Sequence, residues 1–167
     1  PMGCGDRARH RGREAGCRSG KSRQALALAE AFAVEQRVFI ATCVALDEEM
    51  RQRVKAHQKE RGHGWKTVEA PLELTRAIAT HTAADTVVLV DCLTLWINNL
   101  LMENYHSEQI LSQIQNLTRA VSSTSCPVIL VSNEVGTGIV PENKLARLYR
   151  DLVGWTNQAV AECVDKV

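Results

Sequence analysis

Residues 86–91 read TVVLVD: apolar side chains at 87–90, then a carboxylate. No polar residue alternates with them, so both faces of the segment must be buried, as in a strand inside a parallel sheet. A second run of this kind, CPVILVSN at 126–133, also ends in polar residues, and RVFIAT at 37–42 is a shorter β-branched version. KTVEA, from 66, reads as another short strand. Helical patterns fill the intervals. KSRQALALAEAFA starts at Lys21 and is rich in helix formers. LDEEMRQRVKAHQKERG follows, with Asp47 as N-cap and Gly62 as stop, and PLELTRAIATH places Pro71 at a helix N1 position. Ile110, Ile114, Leu117 and Val121 share one face over 107–122; Leu145, Leu148, Leu152 and Trp155 form a stripe on a last, long helix. Strands alternating with helices predict an α/β domain: a mostly parallel sheet flanked by helices.

Composition narrows the function classes. The chain has 167 residues, 45% hydrophobic and 23% charged, with a net charge of +1. That size suits one domain, and the charge balance gives no reason to expect nucleic acid or an anionic membrane as partner. Basic residues crowd the start, with Arg7, Arg9, Arg11 and Arg13 in the first 14 positions. Residues 1–14 read as a basic segment, disordered or non-native, and 15–167 as the folded domain. Six cysteines are scattered without a C-x-x-C pair, which argues against zinc and dithiol redox sites. Cys92 and Cys126 lie in or beside apolar runs and read as small core residues. No apolar run is long enough to span a membrane and no signal peptide is evident, so the expected compartment is the cytoplasm.

In an open parallel sheet, ligands sit beyond the carboxyl ends of the strands. The polar residues there are Thr42, Asp91 and the group Asn133, Glu134 and Asn143. Asp91 is either a cap for the next helix or the acid that a P-loop enzyme keeps near Mg²⁺. GCRSGKS at 16–22 favours the second role. Its small residues can curl the backbone around an anion, Lys21 can reach terminal phosphates, and Ser22 can ligate Mg²⁺. The pattern is incomplete, because Ala15 stands where the first glycine of G-x-x-x-x-G-K-[ST] belongs.

Four stretches carry a specific resemblance: RSGKS, IATCVALDEEMRQRVKAHQKERGHGWKTVEAP, VLVDCLTLWINNLL and VSNEVGTGIVPENKLARLYRDLVGWTNQAVAECVDKV. In this order, from about residue 15 to the end, they resemble the bifunctional adenosylcobinamide kinase / adenosylcobinamide-phosphate guanylyltransferase family of cobalamin biosynthesis. The resemblance implies a P-loop NTPase-like fold and a two-step reaction. ATP or GTP phosphorylates the aminopropanol hydroxyl of adenosylcobinamide; GTP then gives GMP to that phosphate through a GMP–histidine intermediate, yielding adenosylcobinamide-GDP. The matching histidine is His57. The resemblance further implies a triphosphate wrapped by Gly16, Cys17, Arg18, Ser19, Gly20, Lys21 and Ser22, with Lys21 offsetting charge on the transferring groups. Ser22 and Asp91 would serve Mg²⁺. Ala41, Thr42 and Cys43 match a nucleotide-contacting strand end, Glu69 and Asp91 match acidic nucleotide-site positions, and Gln58, Lys59, Glu60 and Arg61 match phosphate contacts, Arg61 being the best suited. Residues 133–143 would line the site. The substrates would be adenosylcobinamide and its phosphate, and the assembly a homo-oligomer.

The resemblance also implies an apolar strand running into the glycine loop and another after the last helix. Neither is evident, so the expected fold lacks the family's first and last strands and presents exposed strand edges. Two other functions stay open on the residues: a catalytically impaired nucleotide-binding remnant, and a P-loop kinase of another small molecule. Leu95, Trp96, Leu100 and Leu101 suit either a core or a subunit contact.

Overall fold

A computed structural model describes residues 19–44, 48, 52, 61–62 and 64–167. Along the chain run α1 (Lys21–Glu30), β1 (Gln36–Ala41), β2 (Trp65–Glu69), α2 (Leu74–His81), β3 (Thr86–Asp91), α3 (Leu93–Met102), α4 (Ser107–Ser122), β4 (Val128–Val131) and α5 (Lys144–Cys163). The strands form one sheet in the order β2-β1-β3-β4, parallel throughout. The expected α/β class is therefore what the chain adopts. Among the described residues, β2 and β4 are the edges. The expectations for residues 1–14 and for a strand ahead of the glycine loop concern positions outside the described residues.

Alternation along each strand divides the core in two. Val38 and Ile40 of β1, Val88 and Val90 of β3, and Val128 and Leu130 of β4 face a large cluster with α2, α3, α4 and α5. Phe39, Val87, Leu89, Ile129 and Val131 face the other way, onto Ala25, Leu26 and Ala29 of α1. This is why TVVLVD has no polar alternation: every residue from Thr86 to Val90 is buried against one layer or the other.

Several boundaries differ from the predicted ones. The helix expected to start at Pro71 starts at Leu74. The carbonyl of Pro71 accepts from Asn99 Nδ2 at 3.1 Å and that of Leu72 from Trp96 Nε1 at 2.9 Å. Side chains of α3 thus occupy the acceptors that a helix from Pro71 would turn inward. Trp96 and Leu100 lie in the large cluster, and Leu95 and Leu101 pack against the two clusters, so this segment is core. The α5 stripe is only half correct. Leu152 is buried and Leu148 partly so, whereas Leu145 is 51% and Trp155 47% exposed. The helix instead buries the face carrying Leu152, Val153, Thr156 and Val160. Of the helix predicted from Asp47 to Gly62, only 48, 52 and 61 are described, all helical, and Gly62 follows at φ 67, a left-handed conformation suited to a helix stop.

Candidate functional site

The strand register aligns the chemistry. Ala41 pairs with Glu69 on one side and Asp91 on the other, and Asp91 pairs with Val131. These residues form one row across the carboxyl ends of the sheet. Residues i and i+2 of a strand share a face, so Asp91 points to the same side as Val87 and Leu89, the side covered by α1. α1 ends at Glu30 and β1 begins at Gln36, at the amino edge of the sheet. The amino end of α1 therefore lies toward the carboxyl ends, on the face that carries Asp91.

That end of α1 is built for an anion. Gly20 is the N-cap at φ 84, ψ 11, left-handed backbone that a side chain at this position would strain. No side chain caps the helix and no acid lies in its first turn, so its leading N–H groups and dipole present positive potential. Ser19 and Gly20 are exposed, while Lys21 and Ser22 are half-buried; Lys21 Nζ donates to Ser19 Oγ at 3.1 Å.

Arg61 joins the same face. Its guanidinium carbon stands 3.6 Å from the centroid of the Phe39 ring, and the residue is 7% exposed. Burial pushes the guanidinium below its ordinary value, and the Asp91 carboxylate opposes that by favouring the charged form. Asp91 also acts on Cys43, whose thiol is pushed up by burial first and by the carboxylate second. The buried thiol of Cys92, pushed up mainly by burial, is raised further by the same carboxylate, so three neighbours feel the Asp91 charge. Asp91 does not cap the next helix: Cys92 occupies that position in extended conformation, with no side-chain cap bond. Glu69, at the other end of the row, is exposed.

Thr42, at the same strand end, ties two parts of the chain together. Its side chain is fully buried; the hydroxyl donates to Cys92 O at 2.7 Å and accepts from Cys92 N at 2.8 Å. The Thr42 carbonyl accepts from Asn99 Nδ2 at 2.7 Å. Thr42 therefore clasps the end of β1 to the turn after Asp91. Thr42→Val leaves both main-chain groups of Cys92 without this partner, so a loss of about 2–4 kcal/mol of stability is expected, with Thr42→Ser close to wild type. Chemical denaturation of the three proteins checks this.

The 133–143 loop is fastened at both ends. Asn133 Nδ2 donates to Thr94 Oγ1 at 2.9 Å, and Asn157 Nδ2 donates to Asn133 O at 3.2 Å. Asn143 is the N-cap of α5, its side chain accepting from Ala146 N at 3.0 Å. Arg147 Nη1 donates to the carbonyls of Pro141 and Glu142. Between these anchors, Ile139 is 97% exposed.

The structure thus brings Ser19, Gly20, Lys21, Ser22, Ala41, Thr42, Cys43, Arg61, Glu69 and Asp91 toward the carboxyl end of the sheet. Gly16, Cys17, Arg18, His57, Gln58, Lys59 and Glu60 lie outside the described residues. Sequence reasoning missed Asn99 and Phe39. Asn99 left a signal, an amide inside the apolar run LTLWINNLLM, whereas Phe39 left none, because any central strand calls for apolar residues.

Comparison with known proteins gives the family. A family model described as cobinamide kinase / cobinamide phosphate guanyltransferase matches residues 14–167. The bifunctional adenosylcobalamin biosynthesis protein CobP of Pseudomonas aeruginosa is 40% identical over 155 residues, covering 91% of this chain and 87% of that protein. The bifunctional adenosylcobalamin biosynthesis proteins CobU of Salmonella typhimurium and Escherichia coli are 40% and 38% identical over 164 residues, each covering 91% of this chain and 90% of the relative. An α1 amino end without a side-chain cap, an acid at the end of β3 and a match along nearly the whole chain converge: the protein belongs to the cobinamide kinase / cobinamide phosphate guanyltransferase family.

Proposed function

We propose that this protein phosphorylates adenosylcobinamide with ATP or GTP and then transfers GMP from GTP to the resulting phosphate, giving adenosylcobinamide-GDP and pyrophosphate. The observation that carries the assignment of the site is the position of Asp91 on the α1 face, in register with Ala41 and Glu69. The glycine loop and the amino end of α1 would bind the triphosphate, Lys21 offsetting charge on the groups in transfer. Glu69 would accept from a guanine N1–H and amino group. Arg61 would donate its fork to phosphate oxygens.

Ser22 and Asp91 would hold Mg²⁺. A hydroxyl and a carboxylate are oxygen donors, which suit Mg²⁺ bound mainly through nucleotide phosphates. When bound, such an ion supplies charge neutralisation at the phosphates. His57 would attack the α-phosphorus of GTP, forming a phosphoramidate and releasing pyrophosphate; the cobinamide phosphate oxygen would then displace the imidazole. Assembly of like copies belongs to the same reading, supported by the exposure of Ile139, Val140 and Leu145. No helix among the described residues is long and apolar enough to cross a membrane.

The test uses GTP labelled at the α-phosphate. The protein is expected to take up covalent label that is acid-labile and base-stable. Wild-type protein that binds GTP but stays unlabelled would favour the impaired-remnant reading.

A further inference from the structure

We infer that Phe39 is a positioning residue: its ring is the platform that aims the Arg61 guanidinium at the nucleotide phosphates. The inference rests on the reading of Arg61 as a phosphate contact and adds a residue that the motif does not contain.

Phe39 lies in the middle of β1, 6% exposed, on the α1 face of the sheet. Two side chains meet on its ring. Arg61 covers the ring at 3.6 Å, and Trp65 of β2 meets it edge to face, with centroids 6.4 Å apart and planes at 82°. Leu26 and its neighbours in α1 close the cluster. A guanidinium stacked on a ring uses its flat face for the contact and keeps its N–H fork for acceptors in its own plane. Stacking therefore fixes the plane in which Arg61 donates without using the donors themselves. Gly62, directly after Arg61, takes a left-handed φ of 67, and β2 starts at Trp65. Two residues later in β1, on the same face, comes Ala41, the register partner of Asp91. The platform thus lies along the strand that leads to the site, and the Asp91 charge is felt at the guanidinium.

The alternative is that Phe39 merely fills the core. Core filling depends on apolar volume, whereas aiming depends on an aromatic face and on the presence of Arg61. Three variants separate these roles: Phe39→Leu, Phe39→Tyr and Arg61→Gln, together with the double variant Phe39→Leu/Arg61→Gln. Two quantities are measured: kcat/KM for GTP in guanylyl transfer, and the ratio of GTP to guanosine affinity by calorimetry. Phe39→Leu is expected to lower both by about 3- to 20-fold, the range of a partly desolvated cation–π contact. Phe39→Tyr should recover most of that loss, and Phe39→Leu should change neither quantity further once Arg61 is Gln.

Equal losses in Phe39→Leu and Phe39→Tyr, or a Phe39→Leu effect that persists in full without Arg61, would overturn the inference in favour of packing. A Phe39→Leu protein that folds and matches wild type would do the same. If the wild type binds GTP but transfers no GMP, the proposed activity fails separately and the affinity ratio still decides the role of Phe39. If it binds no GTP, both ideas fall.

Discussion

His57→Ala is expected to abolish covalent labelling by α-labelled GTP and to lower formation of adenosylcobinamide-GDP by about 10³-fold or more, while phosphorylation of adenosylcobinamide stays within a few-fold of wild type. The two steps make different demands. The kinase step has its nucleophile on the substrate, so the protein needs to supply only binding and charge. The guanylyl step, run through a covalent intermediate, needs a nucleophile of the protein's own, and a neutral imidazole is suited to attack phosphorus. Added imidazole should restore part of the GMP transfer in the variant, because the small molecule can occupy the space left by the side chain. Retained label in His57→Ala would move the nucleophile elsewhere. His63, His81 and His106 are poor replacements by position: His63 follows the helix stop, His81 is the last residue of α2, and His106 caps α4 in a reciprocal pair with Gln109.

The sequence was most readable where a local pattern had one physical meaning. TVVLVD could satisfy its apolar run only with cover on both faces, and it is β3 over the predicted residues 86–91. The Ile110–Ile114–Leu117–Val121 stripe likewise marked α4 over its full 107–122 span. Legibility failed where a distant side chain took over a main-chain group. Nothing near Pro71 says that Asn99 and Trp96 will claim the carbonyls of Pro71 and Leu72 and delay α2. Thr42 shows the same limit: its position marks a strand end, and nothing near it says that its hydroxyl will bond to Cys92, 50 residues away. Asp91, by contrast, was open between cap and site. The extended Cys92 at the cap position removes the first option. Phe39 shows the remaining limit, since an aromatic ring in a buried strand looks the same in sequence whether it fills space or carries a cation.

Asp91→Asn is expected to lower both activities, by about 10²- to 10³-fold each, if one triphosphate site serves both steps. The substitution keeps size and hydrogen-bonding ability and removes only the charge, so the loss measures what a negative group does beside the α1 end. Added Mg²⁺ should recover part of the activity if the carboxylate's work is to hold the ion, and none of it if the carboxylate acts only on Arg61. A second readout needs no substrate. Cys43 is raised by burial and further by the Asp91 charge. Removing that charge must lower the thiol toward its ordinary value, which increases the thiolate fraction at any pH below it. Alkylation of Cys43 at pH 8.5, followed by peptide mass spectrometry, should therefore quicken in Asp91→Asn. Cys126, which is raised by burial with no contribution from Asp91, supplies the internal control and should not change. Loss of both activities together with faster Cys43 alkylation would place the charge of Asp91 at the reacting groups. Loss of activity with Cys43 unchanged would mean that the strand ends had rearranged, and the variant would then report on folding instead of catalysis.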